Sequence, residues 1–284
     1  MARASYSLRI LVLLFAVLFC CLFPVLASQE PQQEILGFNL SGFSEKGKSA
    51  WKILANSANI FASQIKLNQF VGKIYDQEQI DITADKGNFD KLGNKVHLED
   101  DVVVTTESGT RLSTDYLDWD RKSCQVSTQA AVDIKRDNIV ISGLGIKADT
   151  NLKSVDLERD ISVNIENKKN TIVITCLGPL SIDYVKKLAV FHEQVSVDDG
   201  QFQISADLME VSFESADDSV DSVTTDMSRI KDIVARGNVK IIRFGNSSFS
   251  DEAFYNAATG VITLTGRPRL VIFSDLVTKD NKTN

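Results

Sequence analysis

The sequence feature that most constrains the fold is a short unit, two apolar residues separated by one other residue, that returns along most of the chain. Its members are Val102 and Val104, Val132 and Ile134, Val163 and Ile165, Val195 and Val197, and Val239 and Ile241. A second mark alternates with it, an aspartate that usually follows a small residue: Asp85, Asp115, Asp149, Asp183, Asp207 and Asp251. Repeats with a period of twenty to fifty residues are typical of stacked supersecondary units, and the unit here is two strands and a turn.

Apolar and polar residues alternate within the unit. Val96, Leu98, Val102 and Val104 share one parity, and mostly polar residues occupy the other. A period of two predicts strands with one buried face and one wet face, which is the pattern of an antiparallel sheet. Apart from a possible turn at residues 183–187, no stretch has the length and period of an amphipathic helix. We therefore predict an all-β fold in which the apolar residues of every repeat point inward.

Glycine and aspartate are expected to shape the connections between strands. Glycines fall between apolar runs, where they supply the backbone angles of tight turns: Gly109, Gly143, Gly145, Gly178, Gly200 and Gly245. The repeated aspartates recur at equivalent points, so we expect their carboxylates to accept hydrogen bonds from turn amides. A longer polar and acidic insertion at residues 214–228 is predicted to be a solvated loop.

Composition and charge exclude two classes of protein. The 284 residues are 43% apolar and 24% charged, which is enough apolar surface for the core of one large or two ordinary domains and excludes a disordered chain. The formal net charge is −7, and no cluster of Lys and Arg occurs. Because binding to phosphates needs clustered cations, a nucleic-acid partner is excluded as well.

The N-terminal residues point to the membrane. Residues 10–27 are uncharged and almost wholly apolar, and they follow Arg3 and Arg9. At ~1.5 Å per residue, a helix of this length spans roughly 27 Å, nearly a bilayer. We expect a retained single-pass anchor with its N-terminus in the cytoplasm. A secretory signal cleaved after Ala27 is the alternative, and both export the rest of the chain. Residues 30–49 are predicted to be a juxtamembrane tether.

The sequence shows no constellation of catalytic or metal-binding residues. His97 and His192 are the only histidines, and each lies on the polar parity of a predicted strand. Cys124 and Cys176 could form a disulfide in an oxidising compartment, but two buried thiols are favoured by the parity of their neighbours. Neither a close pair of metal ligands nor a nucleophile motif nor a phosphate-binding glycine loop is present. We predict no enzyme activity, no metal and no cofactor.

Several motifs, taken in order, resemble a known family. They are Trp51 with Leu54 and Ala55, TADKGNFD at 83–90, Val96-His97-Leu98, GTRLST at 109–114 and ISGLG at 141–145. With the N-terminal anchor, this series resembles the LptC family, the membrane-anchored periplasmic component of lipopolysaccharide export. The later part is similar to LptA, the OstA-like bridge protein of the same pathway, in Ala206-Asp207, ARGNV at 235–239, Ser250-Asp251 with Tyr255, and LTGRP at 264–268.

The resemblance implies a β-jellyroll, an elongated, open and twisted double sheet whose interior holds the acyl chains of lipopolysaccharide. It also implies two protein partners, an inner-membrane ABC transporter and an LptA-like bridge protein. LptC-like proteins normally end about one module earlier. The expected division is therefore an anchor at 1–29, the tether at 30–49, an LptC-like jellyroll at 50–170, an LptA-like continuation at 171–275 and a polar tail at 276–284.

Two functional surfaces follow from these expectations. The apolar residues of the repeated unit are the predicted lining of a groove that takes the lipid tails. The final apolar run, Leu270, Val271, Ile272 and Phe273, is the predicted docking edge for the next jellyroll, because no charged or proline-rich strand blocks pairing there. The alternatives are a structural envelope scaffold, whose interior is only a packed core, and a soluble shuttle released by cleavage after Ala27.

Overall fold

A computed structural model describes residues 33–44, 47–75, 78–166, 171–214 and 229–272. This part of the chain is all β, as the alternating pattern predicts, and it forms a single sheet of 17 strands. It contains no helix with the length and apolar character needed to cross a bilayer. The predicted anchor, the predicted polar tail and residues 215–228 of the acidic insertion lie outside the described residues.

Most of the strands follow one another with short connections, whereas residues 215–228 separate β13 from β14. Their bounds are β1 Gln33–Phe43, β2 Ser49–Ile60, β3 Gln64–Tyr75, β4 Gln79–Asp90, β5 Lys95–Thr106, β6 Arg111–Asp120, β7 Gln125–Arg136, β8 Ile139–Asp149, β9 Ser154–Glu166, β10 Thr171–Cys176, β11 Leu180–Asp183, β12 Leu188–Asp198, β13 Phe202–Glu214, β14 Arg229–Arg243, β15 Asn246–Asn256, β16 Val261–Thr265 and β17 Arg269–Val271.

Every pairing in the sheet is antiparallel and joins strands that are close in sequence. From β1 to β9, each strand pairs with the one before it and the one after it. β10 and β11 are two segments that both lie between β9 and β12, and β16 and β17 both pair with β15. The sheet is therefore one long meander, with β1 at one edge and β16 with β17 at the other.

Many of the strands are interrupted near their middle by a β-bulge. In β5 the register shifts between Glu99 and Val102, and the intervening Asp100 and Asp101 have left-handed backbones with φ of 64° and 49°. Similar shifts occur in β4, β6, β7, β8, β12, β13 and β14. A bulge bends its strand and increases the local twist. Because the bulges recur from strand to strand, they fold the sheet across its middle.

The predicted turn glycines divide into two groups. Gly109, Gly200 and Gly245 lie in turns between strands, as expected. For Gly143, Gly145 and Gly178 the prediction is wrong, because they lie at mid-strand bends or in the break between β10 and β11. Gly145 and Gly178 have φ of +73° and +114°, so a bend inside the sheet demands the same backbone freedom as a hairpin turn.

The repeated aspartates also divide between turns and bends. Asp149 and Asp183 accept backbone amide hydrogen bonds in turns, as predicted: Lys153 N lies 2.8 Å from Asp149 Oδ1, and Lys186 N lies 2.8 Å from Asp183 Oδ1. The other four, Asp85, Asp115, Asp207 and Asp251, lie at the bends instead. There, Asp207 accepts a hydrogen bond from the Asn238 side chain at 2.8 Å, so the acceptor role holds while the predicted turn location is wrong.

The segment predicted to be a tether contains a strand. β1 occupies Gln33–Phe43 and pairs with β2 along nearly its whole length. Its signal is hidden in the sequence because Gly37, with φ of +65°, breaks the alternation between Ile35 and Phe38.

The two cysteines of the sheet are free thiols in different surroundings. Cys176 is buried, as predicted, and burial raises the pKa of its thiol to about 11. Cys124 is exposed, so the prediction that both thiols are buried is wrong for it. Cys124 lies in the β6–β7 turn with a left-handed backbone, φ 54°, where the alternation of a strand does not apply.

Candidate functional site

The interior of the folded sheet holds every residue predicted to line a groove. The predicted lining residues are all at most 5% exposed: Val102, Val104, Val132, Ile134, Val163, Ile165, Val195, Val197, Val239 and Ile241. They belong to one continuous apolar cluster that runs from β1 to β15. In the middle of the sheet this cluster is closely packed, since Leu157 and Phe191 are 0% and 1% exposed.

Polar groups are few in this interior. The buried polar residues of the described ranges are Thr106, Thr110, Thr114, Thr128, Arg136, Thr150 and Ser250. Arg136 is the one charged side chain among them. An interior of this kind offers dispersion contacts and no competing hydrogen bonds, which suits aliphatic chains.

The apolar interior becomes less covered towards both edges of the sheet. On β16, Ile262 and Leu264 pack against the cluster but are only partly buried. On β1 the same is true of Ile35 and Leu40. The ends of the meander therefore leave apolar inner-face surface open to solvent, whereas the middle does not.

The turns of the meander form two rows on opposite ends of the strands. Because consecutive strands are antiparallel, alternate turns lie at the same end. We call the turns at residues 61–63, 91–94, 121–124, 150–153, 184–187 and 257–260 the first row. We call those at 107–110, 137–138, 199–201 and 244–245, together with the strand ends beside them and the start of β2, the second row.

Aromatic contacts bring the two rows together. The Arg121 guanidinium in the first row lies 4.2 Å from the centroid of a Trp51 ring, at the second-row end of β2. Arg136, at the second-row end of β7, lies 5.2 Å from the Tyr184 ring of the first row. The rings of Phe202 and Tyr255 make the third contact, with centroids 6.2 Å apart. We call these three contacts the seam, and they show that the folded sheet closes on its interior along one side.

The Trp51 contact is part of a larger stack. The Arg121 guanidinium lies between Trp51 and Phe89, 4.6 Å from the Phe89 ring, and its Nη2 donates to Asn94 Oδ1. Burial lowers the pKa of Arg121 below its usual value. Gly42 lies so close to the Trp51 ring that a Cβ at this position would overlap it. Trp51 is therefore fixed at the seam by groups from β1, β4 and the β6–β7 turn.

The outer face of the sheet carries charged pairs that join neighbouring strands. Arg236 donates from Nη1 to Glu210 Oε1 at 2.6 Å and from Nε to Glu252 Oε1 at 2.9 Å. Lys86 Nζ lies 2.7 Å from Asp100 Oδ2. The Arg236 pairs join β13, β14 and β15, and the Lys86 pair joins β4 and β5. These pairs therefore stabilise the strand register on the solvent-exposed face of the sheet.

The histidines lie on the outer face, as their parity predicts. His97 Nδ1 is 2.7 Å from Asp118 Oδ1, and its Nε2 is 3.1 Å from Glu99 Oε1. Partial burial lowers the pKa of His97, but the hydrogen bonds and charges of Asp118 and Glu99 outweigh it, so that the pKa is raised above 6.5. Among the described residues, no group of His, Cys, Asp and Glu is arranged to hold a metal ion.

The predicted docking edge lies at the end of the sheet. Leu270 and Val271 belong to β17 and are 60% and 37% exposed, and Ile272 follows them with 66% exposed. Phe273 lies outside the described residues. β17 pairs only with β15, through Ser247, Ser248 and Phe249, so its other side has no strand partner among the residues that the structure covers.

Sequence reasoning missed the residues of the seam. Arg136, Tyr184, Phe202 and Arg121 carry no mark of the repeat, and the contacts join residues far apart in the chain. One signal was available: Arg136 has the same parity as Val132 and Ile134, which places a charge where the pattern predicts an inward-facing residue.

One comparison with known proteins gives a match. A model of the family described as "Lipopolysaccharide-assembly, LptC-related" matches residues 11–166, which is more than half of the chain. The matched region ends with β9, although the sheet continues to β17. A search of curated proteins gives no match.

Proposed function

Because this chain belongs to the LptC-related family of lipopolysaccharide-assembly proteins, we propose that it is a bridge component that carries lipopolysaccharide across the periplasm. The acyl chains of the lipopolysaccharide lie in the interior of the sheet, against the predicted lining residues. The observation that carries this proposal is the apolar cluster that continues without a break from β1 to β15. A path for lipid tails needs such continuity, because a gap would expose methylene groups to water at a cost of ~0.8 kcal/mol per CH₂.

The energy scale explains why a protein path is needed. At ~0.8 kcal/mol per CH₂, an acyl chain of about a dozen methylenes gains on the order of 10 kcal/mol from burial. A lipid with several such chains cannot cross water unaided. In a meander with one apolar face, each added strand lengthens the interior without changing its cross-section. The architecture we propose is an open β-jellyroll, with the LptC-like part at residues 50–170 and an LptA-like continuation at 171–275.

The lipid enters where the interior can open. In the middle of the sheet the inner-face side chains are closely packed, so the tails can be accommodated only if the two rows of turns separate along the seam or if the lipid enters from a less covered end. The seam consists of ring contacts between side chains, and no strand pairing crosses it within the described ranges. Such contacts open at much lower cost than a sheet does, and the strand register survives the opening.

The location and partners follow from the same proposal. Residues 10–27 anchor the protein in the inner membrane, with the N-terminus in the cytoplasm and the sheet in the periplasm. The protein accepts lipopolysaccharide from an inner-membrane ABC transporter and passes it to an LptA-like bridge protein. That partner adds a strand at the exposed edge of Leu270, Val271, Ile272 and Phe273. The protein acts as a carrier without catalysis.

A structural scaffold is the second candidate, and the close packing of the middle strands favours it. Side chains such as Phe191 and Val197 are 1% exposed without any ligand, as in an ordinary core. A scaffold of this kind binds no lipid. Release after Ala27 would make the protein a soluble shuttle, and the mass of the mature N-terminus distinguishes that form from an anchored one.

The test is to purify the full chain in mild detergent and to quantify extracted lipopolysaccharide by mass spectrometry. Leu264→Glu places a carboxylate on the partly buried inner face of β16, where it can remain hydrated, while Thr263→Glu places it on the exposed neighbour. We expect bound lipopolysaccharide with the parent chain and Thr263→Glu, and severalfold less with Leu264→Glu. Absence of the lipid from the folded parent chain would favour the scaffold.

A further inference from the structure

Arg136 is a buried cation whose hydrogen-bonding capacity is only partly used by the residues that the structure describes. It is the last residue of β7 and only 8% exposed. Its Nε and Nη2 are buried and have no hydrogen-bond partner in the described part of the chain. Asp137 Oδ2 lies 4.0 Å from Nε, which is too long for a hydrogen bond. A guanidinium carries five N–H donors, and burying a charge without hydrogen-bond partners is costly. Such a group is a candidate for binding a ligand.

The surroundings of Arg136 form a cavity. The cavity has a volume of about 130 Å³, and its lining includes Glu78, Ser108, Arg136, Leu152, Lys153 and Tyr184. This is several times the space that one water molecule needs. Lys153 adds a second cation to the lining. Glu78 is an anion in the same wall, and its Oε2 accepts a hydrogen bond from the Ser108 amide at 3.1 Å.

The position of the cavity relates it to the interior. Its lining comes from both rows of turns, so it lies at the seam. Arg136 shares the inward parity of Val132 and Ile134, which are each 2% exposed. The guanidinium therefore lies at the rim of the apolar interior, two positions beyond the lining residue Ile134 on β7. The Tyr184 ring, 5.2 Å away, lies over the guanidinium, and both residues line the cavity.

We propose that this cavity binds a phosphate or carboxylate group, with Arg136 donating two hydrogen bonds to two of its oxygens. A planar guanidinium suits such bidentate recognition of an oxyanion better than an ammonium does. On the proposed function, on which this step rests, the group belongs to the head of an anionic glycolipid whose tails lie against Ile134 and Val132. A free phosphate ion offers the same chemistry, and the experiment separates the two sources.

The experiment uses the full chain in detergent and measures binding by isothermal calorimetry and by the shift in melting temperature. The probes are inorganic phosphate, a bisphosphorylated glycolipid and the same glycolipid without its phosphates. Arg136→Met removes the charge and keeps the length of the side chain. Arg243→Met is the matched control, because Arg243 also ends its strand at the second row and lies 5.1 Å from an aromatic ring, Phe244, but is exposed.

We expect Arg136→Met to weaken binding of the phosphorylated glycolipid about ten-fold or more, as loss of a bidentate charged pair does, and Arg243→Met to leave it unchanged. Removing a buried charge whose Nε and Nη2 make no hydrogen bond to the described residues should change the melting temperature of the free protein little, because the lost contacts with Asp137 and Tyr184 are offset by the relieved burial of the charge. If Arg136→Met fails to fold, Arg136→Lys replaces it, since it keeps the charge and loses the planar fork; its binding should be intermediate.

The outcomes are distinguishable. If the parent and Arg136→Met bind inorganic phosphate equally and also bind the bisphosphorylated glycolipid equally, the anion site is overturned. Arg136-dependent binding of inorganic phosphate, with glycolipid binding indifferent to its phosphates, would support the anion site and overturn its assignment to a lipid head. If no glycolipid binds to any form, the proposed function fails, while the phosphate measurement still decides whether the cavity binds an anion.

Discussion

At the residue scale, charge is sorted by the two faces of the sheet. The inner face is apolar apart from Ser and Thr residues near turns and bends and the guanidinium of Arg136. The outer face carries the paired charges, such as Arg236 with Glu210 and Glu252. This sorting lets an interior that is suited to lipid tails coexist with a formal net charge of −7. On the proposed function, an anionic head group is repelled by the acidic exterior and attracted by Arg136, the one charged side chain that is buried in the described ranges.

The ion pairs of His97 predict a dependence of stability on pH. Because the pKa of His97 is raised in the folded protein, its contribution to stability is fully present below the unfolded value of 6.5 and is lost as the pH rises through the folded value. His97→Gln should lower the free energy of unfolding by up to about 1 kcal/mol at pH 5.5 and by less at pH 9, as measured by urea denaturation.

The control for His97 removes its partner. Asp118→Asn takes away one of the two carboxylates that raise the pKa of His97. The free energy of unfolding of this variant should therefore change less between pH 5.5 and pH 9 than that of the parent protein. A loss of stability in His97→Gln that is equal at both pH values would show that the histidine acts through packing alone.

At the element scale, most hairpins of the first row share a structure that sequence analysis only partly predicted. In four of these six hairpins, an Asp or Asn side chain ends one strand, and a residue with left-handed backbone stands four positions later: Asp90 and Asn94, Asp120 and Cys124, Asp183 and Lys187, Asn256 and Gly260. Hydrogen bonds from turn amides lower the pKa of Asp90 and Asp120. Non-glycine residues at the left-handed position gave no signal, so these hairpins could not be read from glycine alone.

The break between β10 and β11 is predicted to tolerate no side chain at Gly178. Gly178 and Gly200 both have positive φ, +114° and +80°. A Cβ at Gly178 would overlap the backbone of Glu158 in β9, whereas nothing lies within 4 Å of a Cβ at Gly200. Gly200→Ala should cost about 1 kcal/mol from backbone strain, and Gly178→Ala should cost at least ~2 kcal/mol more. Equal losses in chemical denaturation would contradict this account of the break.

The C-terminal edge is predicted to be dispensable for the fold and necessary for docking. Deleting residues 268–284 removes β17, which pairs only with three residues of β15. We expect the melting temperature to fall by only a few degrees and association with the LptA-like bridge protein to be lost in a pull-down. Deleting only the tail, residues 276–284, is the control and should preserve association. Retained association in the larger deletion would move the contact elsewhere, for instance to the insertion at 214–228.

At the scale of the whole molecule, the repeat predicted the sheet, and long-range contacts decided how it folds. Alternation placed residues such as Val104 and Val197 on one face, because a strand has a period of two. The bends were hidden, since Asp100, Asp101, Glu193 and Gln194 adopt left-handed backbones without glycine. The seam was hidden too, because contacts such as Trp51 with Arg121 depend on the folded shape of the sheet and leave no local pattern.

The central claim is that the interior of the sheet holds acyl chains, and the most direct test is to map where such a chain touches the protein. Lipopolysaccharide with a photoreactive diazirine near the end of an acyl chain is bound to the full chain, irradiated and located by peptide mass spectrometry. We predict adducts on Val104 and Val197 and their inner-face neighbours, and not on the adjacent outward-facing Val103 and Ser196. Adducts confined to the outer face, or none on the sheet of the folded protein, would contradict the claim.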